Sequence, residues 1–156
     1  MRPMRYALAF AGIVAAAGVA EACPNWQLAP AFGQINLSAG FLPDPYTRNV
    51  TAGGSYNLQT CLNNAWGWVA AAPDFDLYYQ TNGTYQLTIA IESNADTVLL
   101  INAPDGRWYF DDDGGYGLGG GITFTNPRSG LYDIWIGTYN RASGIPARLI
   151  ITELSY

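Results

Sequence analysis

The chain has 156 residues, and its charge comes from 7 arginines and 12 acidic residues, with no lysine and no histidine. Without histidine or lysine there is no Ser-His-Asp or Cys-His arrangement, no histidine-bearing zinc site and no lysine nucleophile, and two cysteines cannot make an all-cysteine site. The acidic excess argues against nucleic acid and anionic membrane surfaces as partners, and it is compatible with divalent cations.

In chain order, the first 22 residues read as a secretory signal peptide. Arg2 and Arg5 form a positive start, Leu8 to Val19 is an apolar run, and Ala20-Glu21-Ala22 is a small-x-small site before Cys23. The expected domains are therefore a signal at 1–22 and a single domain at 23–156, secreted or periplasmic, with no transmembrane helix in the mature chain. From Cys23 onward the chain carries 5 arginines against 11 acids, 5 − 11 = −6. Export exposes Cys23 and Cys61 to an oxidising compartment, so a Cys23–Cys61 disulfide is expected. The alternative is a lipoprotein acylated at Cys23, which Glu21 fits poorly.

Residues 23 to 54 are broken by Pro24, Pro30, Gly33, Gly40, Pro43, Pro45, Gly53 and Gly54. That density predicts an irregular lead with short extended pieces such as Gln34 to Leu37. Alternation predicts strands at Ser55 to Cys61, Trp66 to Ala70 and Phe75 to Gln80. Asn82-Gly83 predicts a hairpin turn into a strand that carries Tyr85, Leu87, Ile89 and Ile91 on its buried face. Further strands are expected at Val98 to Ile101, Trp108 to Phe110, Ile122 to Phe124, Leu131 to Thr138 and Ala147 to Leu154. About nine or ten short strands with no helical period predict an all-β, antiparallel, jelly-roll-like β-sandwich.

The stretch with most chemical content is Asp96 to Asp113. Asn102-Ala103-Pro104-Asp105-Gly106 is turn chemistry between two strand-forming runs, so it predicts a hairpin. Its far end delivers Asp111, Asp112 and Asp113 into the glycine-rich stretch 114–121, with Asp96 at the same end. In an extended chain Asp111 and Asp113 project the same way, about 6.5–7 Å apart at Cα. Adjacent carboxylates repel unless they are solvated or bridged, and hard oxygens suit Ca²⁺. Asp96, Asp111, Asp112 and Asp113 are thus the candidate metal ligands; the bland alternative is acids that cap turns in water. Trp66, Trp68 and Trp108 are candidate ligand-binding aromatics, with core packing as the competing role. The period of two places Trp66 and Trp68 on one side. Asp74 and Asp76, two apart around Phe75, are a candidate second acidic site, with turn and solvent-face roles as the preferred reading.

From Tyr85 onward, the sequence resembles the bacterial pre-peptidase C-terminal domain. The resemblance lies in Asp96-Thr97-Val98-Leu99, Pro104-Asp105-Gly106, Asp111-Asp112-Asp113-Gly114-Gly115, Ile122-Thr123-Phe124, Gly130-Leu131-Tyr132 and Trp135-Ile136-Gly137-Thr138-Tyr139. It covers roughly the last half of the chain, from about residue 84. It implies a jelly-roll-like sandwich in an exported bacterial protein, normally an accessory module beside a secreted peptidase, with calcium or protein ligands in some relatives. No enzyme domain accompanies the module in this sequence. The expectation is an exported, non-catalytic binding or adhesion module, Ca²⁺-stabilised at its acidic loop, for an extracellular or envelope protein or glycan. An envelope or matrix structural protein is the alternative, and a carboxylate-based hydrolase is a third.

Overall fold

A computed structural model describes residues 23–154; the signal-peptide reading lies outside them. Among the described residues twelve strands form two sheets, the β-sandwich that the alternation predicts. The seven-stranded sheet holds β1 (Gln34–Ser38), β3 (Tyr56–Asn57), β4 (Trp68–Val69), β5 (Phe75–Gln80), β7 (Thr97–Asn102), β8 (Trp108–Asp111) and β11 (Gly130–Thr138). The five-stranded sheet holds β2 (Tyr46–Ala52), β6 (Leu87–Ser93), β9 (Tyr116–Gly117), β10 (Gly121–Phe124) and β12 (Ile145–Thr152). Nearly all pairing is antiparallel, with β1–β5 and β6–β9 parallel.

The core lies between the sheets. Leu77 and Tyr79 of β5, Leu99 and Ile101 of β7, and Ile134 and Ile136 of β11 meet Leu87, Ile89 and Ile91 of β6 and Leu149 and Ile151 of β12. Each contributes one face at the strand period of two, and full burial of such a side chain stabilises by about 1.5–3 kcal/mol. A second, smaller core lies on the outer face of the larger sheet. Leu58 and Ala65 pack there on Val98, Leu100 and Trp135, so β7 and β11 are apolar on both faces.

Several local expectations change. The Asp105 hairpin forms, with Gly106 N–H donating to the Ala103 carbonyl. Asn82-Gly83 does not close a hairpin, because β5 belongs to the larger sheet and β6 to the smaller. The turn carries the chain from one layer to the other. β2 forms within the proline-broken lead as the edge partner of β12, with Pro43 and Pro45 confined to the loop before it. The run Ser55 to Cys61 is strand only at Tyr56–Asn57. The Asn57 side chain then accepts from Gln59 N–H and starts a 3-10 turn at Leu58–Thr60. That side-chain bond offers the backbone an alternative to the ladder. Cys23 and Cys61 are joined, Cα to Cα 5.6 Å, which ties residue 23 to the segment that covers the outer face.

Candidate functional site

The acidic loop and two of the three candidate tryptophans come together at one end of the larger sheet. β8 brings Trp108 and Phe110 along the sheet edge and ends at Asp111. The outer-face segment brings Asn63, Asn64 and Trp66 beside them. Trp66 is 39% exposed, its ring meets Phe110 edge-on at 5.7 Å, and its Nε1–H donates to Asp112 Oδ2 at 3.1 Å. Trp108 leans on the buried Trp135, ring centroids 5.3 Å apart. A cleft of about 260 Å³ opens between Leu62, Asn63, Asn64, Ala65, Trp108 and Phe110. An aromatic floor with side-chain amides beside it, next to the Trp66 indole that Asp112 holds, can stack on an apolar face and hydrogen-bond its edges.

Trp68 is not part of this patch. Gly67, at φ 99°, turns the chain between the two tryptophans, and Trp66 precedes the strand that begins at Trp68. The period of two therefore does not apply across them. Trp68 instead carries the Arg141 guanidinium 5.1 Å over its ring.

Of the four candidate metal ligands, Asp111 and Asp112 have separate structural duties. Asp111 Oδ2 accepts from Gly114 N–H at 2.5 Å and from Gly121 N–H at 2.8 Å. Gly121 opens β10, so Asp111 ties the rim of one sheet to the rim of the other. Asp112 holds Trp66. Asp96 and Asp113 are exposed. Asp96 is held above the ordinary carboxylate range, first by desolvation, then by the charges of Asp113 and Asp112. Among the described residues no three acidic, cysteine or histidine side chains are gathered to hold a metal ion.

The glycine stretch 114–121 is tightly packed. A Cβ at Gly120 would lie 2.2 Å from the Asp111 carbonyl oxygen, and one at Gly119 2.3 Å from that of Ile91. Its carbonyls are committed too: Gly120 accepts from Ile91 N–H and Leu118 from Thr97 N–H.

A second acidic group lies where the sequence suggested solvent. Asp74, Asp76 and Asp133 are 4%, 7% and 3% exposed. Asp74 fills a break in the ladder. β4 and β5 leave the Ile136 N–H unpaired by a strand, and Asp74 Oδ2 accepts it at 2.6 Å. Burial pushes Asp74 up to about 7. Asp76 and Asp133 are register partners on β5 and β11. As register partners they set two buried carboxyls side by side on one face of the sheet, where a hydrogen bond between them would require a proton on one. Burial and then the Asp76 charge push Asp133 up to about 7. The only hint in sequence was the i, i+2 spacing of Asp74 and Asp76; the cross-strand partner depends on register.

No family model matches the sequence, and no curated protein does. Among solved structures the chain is similar to PliG of Aeromonas hydrophila, a periplasmic lysozyme inhibitor of g-type lysozyme. Identity is 14%, the TM-score is 0.36, and the overlap covers 77% of this chain and 96% of that one. Among the described residues no helix is long and apolar enough to cross a membrane.

Proposed function

We propose that the chain is an exported, non-catalytic recognition module of pre-peptidase C-terminal type, whose binding face is the aromatic and acidic edge at Trp66, Phe110, Trp108 and Asp112. The ligand is an extracellular or envelope protein or glycan. The observation that carries this reading is the Trp66–Asp112 hydrogen bond. It fixes an exposed indole beside a cleft, so the aromatic is presented in one orientation before any partner arrives, which lowers the entropic cost of binding. The non-catalytic reading rests on the sequence, which has neither histidine nor lysine.

Calcium at the acidic end is the second part of the proposal, supported by the mutual repulsion of Asp96, Asp112 and Asp113. Holding the ion requires residues 112–115 to close around it, since the acids do not converge as they stand.

The test is a binding screen of residues 23–156 against cell-wall glycans, collagen-like peptides and matrix proteins, repeated with Trp66→Ala and Asp112→Asn. Loss of about tenfold or more in affinity in both variants is expected for an indole of this kind. Undiminished binding in both removes the edge from the account. Calcium is tested by melting with and without EDTA: a raised Tm in Ca²⁺ supports the ion, and identical curves refute it.

A further inference from the structure

Two arms of the chain, joined by the Cys23–Cys61 disulfide, are anchored on either side of the buried acids. The first arm is zipped to the start of β5. Ala31 N–H donates to Pro73, Phe32 N–H to Asp74, and Asp76 N–H to Gly33. The second arm seats Leu58 and Ala65 on Trp135, which shares the outer face of β11 with Asp133, two residues away. Apart from the Asp133 backbone N–H, no donor of the described residues reaches the Asp76–Asp133 pair. Among the described residues Asp76 Oδ1, Asp133 Oδ1 and the neighbouring Trp135 Nε1 are buried with no hydrogen-bond partner.

No cation faces the pair. Residues 24–33 and 57–66 contain no titratable side chain apart from the bridged Cys61. The register neighbours are Gln34 on β1 and Asn102 on β7, with Trp108 beyond on β8. On β5 and β11 the other titratable groups are the tyrosines Tyr78, Tyr79 and Tyr132, and Asp74 immediately precedes β5. The arginines of residues 23–154 lie elsewhere: Arg48 at Tyr46, Arg107 at Asp105 with the Arg128 charge also acting on Asp105, Arg141 over Trp68 and Arg148 at Glu92.

We propose that Asp76 and Asp133, with Asp74 beside them, form a proton-operated lock on the two disulfide-joined arms. With one proton shared, the pair is a hydrogen bond that holds β5 to β11 beneath the arms. When that proton leaves, two like charges remain in a buried place with no counter-ion, and the arms loosen. The second arm carries Trp66, so a loss of binding on deprotonation follows only if the recognition edge proposed above is right; the lock itself does not depend on it.

The experiment uses the oxidised chain from residue 23, the wild type and Asp133→Asn, whose amide donates to Asp76 permanently. Carbon-13 NMR of the aspartate carboxyls is expected to show two titrations above about pH 6, one of Asp74 and one of the pair, of which only the Asp74 one remains in the variant. The rate at which a phosphine reduces Cys23–Cys61, wild type over variant, is expected to be near one at about pH 5 and to rise at least about threefold by pH 8. If the variant keeps every carboxyl titration above about pH 6 that the wild type shows, or the rate ratio is the same at both pH values, the lock is refuted.

Discussion

At the scale of single residues, Asp111 and Asp74 act through backbone amides, one at the rim and one inside. Asp111→Ala leaves Gly114 and Gly121 N–H without their acceptor. Each unsatisfied buried group costs about 1–3 kcal/mol, and Gly114 is exposed to water, so the expected loss is about 2 kcal/mol by urea denaturation. It should be the same in EDTA, because the role belongs to the protein's own hydrogen bonds. Gly120→Ala is expected to cost about 3 kcal/mol or more, since its Cβ meets backbone that cannot rotate away. These duties were hidden in the sequence. Three adjacent aspartates read alike, and only the approach of β10 to β8 distinguishes the one that ties the sheets from the one that holds Trp66.

At the scale of elements, the strands from β5 onward, except the two-residue β9 inside the glycine loop, were legible because apolar alternation there is strong and the turns carry Pro, Gly and Asn. Their partners were not. Asn82-Gly83 suits a tight reversal, yet β5 pairs with β11 and β6 with β12, pairings more than fifty residues apart in sequence that local chemistry does not encode. The outer-face segment was misread as strand because Tyr56, Leu58 and Thr60 alternate, whereas Asn57 captures the next turn. That segment depends on its staple and its buried leucine. Replacing both Cys23 and Cys61 by serine is expected to cost about 3–4 kcal/mol from the released loop. Leu58→Ala, at a fully buried site, is expected to cost about 3 kcal/mol. Near-ultraviolet circular dichroism should show that each change loosens the tryptophan environment while far-ultraviolet strand signal persists.

For the whole molecule, buried acids set the pH dependence. Asp74 and Asp133 keep protons up to about 7 in the folded chain, while the unfolded chain releases them near 3.8. The folded state therefore binds more protons through that interval. Their contribution is fully present below 3.8 and is lost as pH rises through about 7. Asp105, held low first by the Arg107 N–H and then by the Tyr109 hydroxyl, acts in the opposite sense, its contribution lost as pH falls below the ordinary carboxylate range. Stability should thus peak on the acidic side, about pH 4–5, and decline toward neutrality, in Tm measured across that range. The sandwich followed from composition and period; the acid lock did not, because it depends on register across two distant strands. The recognition edge is the central claim, and the indole N–H resonances test it most directly. The chain has 5 tryptophans, so each indole can be followed separately while a ligand from the screen is added. The account predicts that the Trp66 signal shifts first and Trp108 with it, while Trp26 and Trp68 stay still. A ligand that moves Trp26 or Trp68 and leaves Trp66 in place contradicts it.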